Sequence, residues 1–137
     1  MLGRFFDWLR HRARLRTWNP DQALGRRGED LAHRFLRRQG YVIVARNYRV
    51  GSGNGEADLI AWDKETLVIV EVKSRRNADF GPPERAIDDE KRRSLQRVAR
   101  EYTRKADVVM EAVRYDLVTV VFSDPPELRI FRGALNR

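Results

Sequence analysis

The sequence predicts an α/β fold whose elements run α-β-β-β-α-β-β, with about five strands and a basic helical arm in front. Three observations support this. Apolar residues recur at helical spacing in two long segments, β-branched and aromatic residues crowd five shorter ones, and Gly, Asn and Pro clusters mark the boundaries. A chain of 137 residues suits one domain with a real core, which is assigned to 19–137 behind an arm at 1–18.

In the arm, Leu2, Phe5, Trp8 and Leu9 share a helical face among Arg4, Arg10, Arg12, Arg14 and Arg16. Such a segment can rest on the domain, touch phosphates or lie on a membrane surface. The first domain helix is capped by Asn19 and Pro20 and ends at Gly40. Leu24, Gly28, Leu31, Ala32, Phe35 and Leu36 form its apolar sector, and Arg26, Arg27, Arg34, Arg37 and Arg38 fall outside it. Strands at Tyr41–Val50, Glu56–Trp62 and Thr66–Ser74 make a meander, with Asn54-Gly55 as a hairpin-turn signal. The stretch Arg75–Glu84, with Asn77, Gly81, Pro82 and Pro83, is a loop long enough to meet substrate. A second helix, Asp88–Arg104, turns Leu95, Val98, Ala99 and Tyr102 inward. Strands Val113–Phe122 and Leu128–Phe131 then flank Pro125-Pro126.

Composition narrows the function. Lys and Arg number 28 against 20 Asp and Glu, a formal charge of +8, which favours a polyanionic partner: nucleic acid first, anionic membrane second. The absence of cysteine excludes disulfides, thiolate metal sites and a cysteine nucleophile. No apolar run approaches the roughly 18 residues of a membrane span, and the N-terminus lacks a signal core, so a cytoplasmic protein is expected. His11 and His33 lie among arginines with no nucleophile at suggestive spacing.

The chemistry concentrates on one hairpin. Thr66–Lys73 is an apolar strand carrying Glu71 and Lys73 at its far end, where unpaired burial would cost several kcal/mol, as an order of magnitude. The preceding strand is the mirror pattern, charges first. A register centred between Lys64 and Glu65 sets Trp62 opposite Leu67, Ile60 opposite Ile69, Asp58 opposite Glu71 and Glu56 opposite Lys73. Opposed carboxylates in that position repel unless a cation joins them. Hard oxygen ligands suit Mg²⁺ or Mn²⁺, held by Asp58 and Glu71, and Lys73 stands ready to orient water or neutralise developing charge. Phosphodiester hydrolysis is the natural reaction. The plain alternative is a salt-bridged cluster closing a sheet edge.

Asp58 followed by Glu71-Val72-Lys73 resembles the PD-(D/E)xK nuclease superfamily. More closely, Gly25-Arg26-Arg27-Gly28-Glu29, Gly55-Glu56-Ala57-Asp58-Leu59-Ile60 and Val70-Glu71-Val72-Lys73-Ser74-Arg75 are similar to the bacterial YraN-like family, over about residues 20–122. The resemblance implies a restriction-endonuclease-like core, with a mixed sheet flanked by helices, akin to archaeal Holliday-junction resolvases. Ala57 stands where the superfamily motif has proline. The resemblance also makes Glu29 the helical glutamate that assists metal or water, giving a catalytic set of Glu29, Asp58, Glu71 and Lys73.

Arg26, Arg27, Arg75 and Lys91 are the expected nucleic-acid contacts. Lys91 projects with the packing face of its helix, so its stem could equally lie across the core edge. The expected activity is metal-dependent hydrolysis of DNA, favoured over RNA, on structured or branched substrates. A non-catalytic nucleic-acid-binding adaptor on the same scaffold is the alternative. Pairing of two chains as a homodimer is left open.

Overall fold

The computed structural model describes residues 20–77 and 87–136. The arm, the Asn19 cap and residues 78–84 of the long loop lie outside them.

Helix α1 (Pro20–Arg38) begins with Asp21 and ends with Arg37 and Arg38, charges that complement the helix dipole. Gly40 takes φ +94, the left-handed turn that releases the chain, and the Tyr41 N–H donates back to the Leu36 carbonyl at 3.0 Å. Strands β1 (Val42–Arg49), β2 (Glu56–Asp63) and β3 (Thr66–Arg75) follow as the expected meander. Helix α2 (Asp89–Ala106) starts where the Asp88 side chain accepts from the Lys91 N–H at 2.8 Å. It carries the chain over to β4 (Val113–Val121), parallel to β3, before β5 (Glu127–Phe131) returns antiparallel.

The sheet order among the described residues is β1-β2-β3-β4-β5, and its single parallel pair makes it mixed. Both faces are covered. Leu36 and Ala32 of α1 pack on Leu59, Val68, Val70 and Val118, while Leu95, Val98 and Ala99 of α2 pack on Ile60, Leu67, Ile69 and Leu117. This is the helix-flanked, restriction-endonuclease-like arrangement that the motifs implied. Double coverage explains why β3 reads as an unbroken apolar run: Leu67 through Val70 are 0% exposed.

Asp116, also fully buried, is a structural residue. It accepts from Tyr41 Oη at 3.1 Å, from Arg114 Nε at 2.8 Å and from the Gly133 N–H at 2.8 Å, and Arg114 reaches on to Asp63 at 2.9 Å. The network ties β4 to the start of β1 and the end of β2. Arg114 is held still more firmly in its charged form by the hydrogen bonds it donates to Asp116 and Asp63, against the cost of burial. No helix among the described residues is long and apolar enough to cross a membrane.

Candidate active site

The hairpin register is the expected one, from Asp63 opposite Thr66 to Leu59 opposite Val70. Its two-residue Lys64-Glu65 turn closes with Lys64 at φ 56. The ladder stops at Leu59–Val70, however, short of the Asp58–Glu71 rung that the sequence suggested. Beyond that point β3 continues with β4 to Arg75–Val121, and β2 stays with β1 to Glu56–Arg49. The two strands therefore part where the charged residues begin.

The divergence has a visible cause. Ala57 and Ile60 both pack on the α2 side of the sheet, whereas Leu59 packs on the α1 side, so strict alternation fails at Asp58. On β1 the matching position, Asn47, sits at φ 50, and Ala45 and Tyr48 both pack on the α2 side across it. The paired irregularity turns Asp58 toward the opening between strands. There its Oδ2 accepts the Val72 N–H at 2.7 Å, the donor that a further rung opposite Ala57 would have used.

Into this opening both layers of the molecule contribute. Glu71 is 4% exposed; its Oε1 lies 3.7 Å from Lys73 Nζ and its Oε2 lies 3.5 Å from Lys91 Nζ. That second oxygen is buried without a well-formed hydrogen bond among the described residues. Burial and the Asp58 charge push the Glu71 carboxyl up to about 7, against the pull of Lys91 and Lys73. From the opposite layer, Glu29 on α1 meets Asp58. Its carboxyl is pushed up to about 7 by burial and by the charge and hydrogen bond of Asp58, opposed by Arg26 and Arg46. Arg26 NH1 stands 3.6 Å from Glu29 Oε2. With its amide oriented to match its neighbours, Asn47 donates to Glu29 Oε1 at 3.2 Å and accepts from Arg26 at 2.9 Å.

Asp58 thus links two carboxyls approaching from opposite sides of the sheet. The donor set is hard oxygen. Two carboxyls with raised proton affinity and a poorly satisfied buried oxygen fit a divalent cation that would relieve the repulsion. Among the described residues no three acidic or histidine side chains are grouped closely enough to hold an ion by themselves.

The sequence expectations for single residues divide here. Asp58, Glu71, Lys73 and Glu29 do come together. Lys91 belongs beside Glu71 rather than on an outer surface. Glu56, expected opposite Lys73, instead pairs with Arg49 at 3.5 Å, because β2 has already left β3. Arg26 lines the depression containing Asp58 and Glu29, and Arg75 lines the adjoining one containing Lys73. Arg27 is placed apart, its guanidinium 5.0 Å over the Phe122 ring. Asn47 escaped the sequence reading, although an asparagine inside a strand pattern is a recognised signal for a left-handed residue.

Comparison with known proteins supplies the family. The uncharacterised protein family UPF0102 matches residues 28–120, which contain every one of these carboxylates and lysines. The chain belongs to the UPF0102 family. Among its relatives, a UPF0102 protein of Solibacter usitatus is 53% identical over 121 residues, covering 88% of this chain and 92% of its own. Those of Koribacter versatilis and Desulfosudis oleivorans are 46% and 44% identical, covering 80% and 86% of this chain and 77% and 94% of theirs. UPF0102, the YraN family, is a PD-(D/E)xK-like nuclease family.

Proposed function

We propose that this UPF0102 protein is a divalent-metal-dependent endonuclease that hydrolyses phosphodiesters in DNA. The observation carrying the reading is the buried Glu71 carboxyl, set between Lys73 and Lys91 and facing Asp58 across a hairpin opened at that level. A purely structural cluster would need neither the opening nor two carboxyls pushed up to about 7.

Asp58 and Glu71 would hold Mg²⁺ or Mn²⁺, which when bound polarises a phosphoryl oxygen and makes water a better nucleophile. Lys73 places its ammonium where an attacking water can be oriented and where negative charge on the phosphoryl oxygens can be neutralised. Lys91 holds Glu71 from the other side and keeps it ionised as the site charges. Glu29, with a proton affinity near neutrality, takes the proton released by the attacking water. The net reaction breaks one P–O bond, forms one to water oxygen and delivers a proton to the leaving oxygen. The charge of +8 supports a nucleic-acid substrate. DNA, branched DNA first, follows from the likeness to resolvase-type nucleases.

The test incubates chelator-treated protein with branched, duplex and single-stranded DNA and with matching RNA, adding Mg²⁺ or Mn²⁺. Internal cuts are expected, abolished in Glu71→Ala and Lys73→Ala with DNA binding largely spared. Binding without product at saturating metal would overturn hydrolysis in favour of the adaptor.

A further inference from the structure

Four surface depressions abut one another because successive ones share lining residues. The first, beside Lys73, Arg75 and Arg76, shares Glu29 with the second, which contains Asp58. The second shares Arg49 and Glu56 with the third, under the Gly53–Gly55 turn. The third shares Asn54 with the fourth, between the β1–β2 loop and α2. The candidate active site is thus one of a row of adjoining depressions.

The far stage has its own character. Ser52 and Asn54 line it from the loop, and Arg97, Arg100 and Arg104 line it from α2. At 100° per residue these three arginines fall within about 60° of one another, and they span about 10 Å along the axis. Arg100 and Arg104 are exposed. Among the described residues neither has a carboxylate within ion-pair distance, whereas Arg93 and Arg97 are both engaged by Glu90 at 3.3 and 3.2 Å.

The acid in this stage, Glu101, is already committed. Tyr48 Oη donates to its Oε2 at 2.6 Å and the Gly51 N–H donates to its Oε1 at 3.0 Å. Those bonds, with Arg97 NH1 donating to the Asn54 carbonyl at 2.9 Å, fasten the loop to the helix. Gly55 allows that closeness, since a Cβ there would come 2.8 Å from the Ser94 carbonyl oxygen. The cleft is built before any ligand arrives, and although Lys105 at 3.8 Å and Arg104 both act on Glu101, its arginines outnumber that one acid three to one.

We propose that this cleft is a second phosphodiester-backbone site, holding the same nucleic-acid strand several nucleotides from the scissile bond. The proposal rests on the nuclease reading and adds to it a direction of travel. The strand enters beside Arg75, crosses the carboxylates and leaves past Asn54 onto Arg100 and Arg104. At about 3.4 Å of rise per nucleotide the arginine row alone accommodates about three. Depressions adjoining the site on both sides favour cutting within a strand over trimming its end.

The experiment measures binding of fluorescent DNA by anisotropy, without divalent metal, across a salt series and with oligonucleotides of increasing length. It compares the full chain with Arg100→Gln/Arg104→Gln and with the charge-matched Arg37→Gln/Arg38→Gln, whose residues line none of the four depressions. The cleft variant should bind long oligonucleotides about tenfold more weakly at ~0.1 M salt, with a log–log salt slope shallower by about 1.5. Its affinity for the shortest oligonucleotides should match wild type, and the control pair should lose little at any length. Equal losses in the two variants, or a loss independent of length, would overturn the second site. The nuclease reading would still stand if wild type cleaves. A wild-type protein that neither binds nor cuts any oligonucleotide would overturn both.

Discussion

Replacing Glu71 by glutamine should make the metal-free protein more stable while removing its activity, and the gain should depend on pH in a defined way. The Glu71 carboxyl moves from an ordinary 4.5 to about 7 on folding. Between those values the native state keeps a proton that the unfolded state has released, so stability falls as pH rises. The loss is complete above pH ~7. At about 1.4 kcal/mol per pH unit it amounts to about 3 kcal/mol, an upper figure because Glu29, facing the same Asp58, is also pushed up to about 7. Glutamine imitates the protonated acid and escapes that loss. Lys73 and Lys91, each about a quarter exposed at 28% and 26%, can turn their ammonium groups to water when their partner is neutral.

Urea denaturation in EDTA at pH 5 and pH 8 checks this directly. Glu71→Gln should match wild type within about 1 kcal/mol at pH 5 and exceed it by 2–3 kcal/mol, roughly, at pH 8. Adding Mn²⁺ at pH 8 should stabilise wild type and leave the variant unmoved. A variant less stable than wild type at pH 8, or a gain of equal size at both pH values, would refute the assignment of Glu71 as a carboxylate held under electrostatic stress.

Other consequences follow from the same contacts. Asp58→Asn keeps an oxygen for the Val72 N–H, so the fold should survive with a change under about 1 kcal/mol while cleavage is lost; Asp58→Ala, which orphans that donor, should cost 1–3 kcal/mol, roughly, by denaturant unfolding. Gly28→Ala would drive a Cβ into Ser74 Oγ and to 3.0 Å from Ser74 Cβ, shifting α1 and Glu29 with it. A loss of about 1–3 kcal/mol is expected, partly recovered in Gly28→Ala/Ser74→Ala. Asp116→Ala strands Arg114 and Tyr41 in the network at the base of β1 and should cost about 3–5 kcal/mol, leaving the cleavage rate per folded molecule unchanged.

Much of this was legible in the sequence, and particular residues show why. The Asp63-to-Thr66 connection leaves two residues for the turn, which fixes the pairing of everything from Leu59 to Val70, and the apolar alternation admits no slip. The end of the ladder was hidden because it depends on a non-local event. Asn47 on another strand adopts φ 50, and only the packed sheet shows that Ala57 and Ile60 then share a face. Glu56 was misassigned for the same reason. Lys91 could be placed on an inward helix face by periodicity, but its partner lies 20 residues back along the chain, and Glu71 became that partner only when α2 crossed over β3. The Arg97, Arg100 and Arg104 row is visible as a helical stripe in the sequence, yet its meaning comes from the loop fastened beside it.

If Asp58 and Glu71 together make a metal-dependent phosphodiester-cleaving centre, cleavage needs the metal and both carboxylates. Single-turnover cleavage of an internally labelled branched DNA, with enzyme in excess and Mn²⁺ added back after chelation, tests it most directly. Internal cuts are expected that require the metal and disappear in both Asp58→Asn and Glu71→Gln, each folded by its unfolding curve. Cleavage at an equal rate in wild type and both variants, or none in wild type with metal saturating, would contradict it.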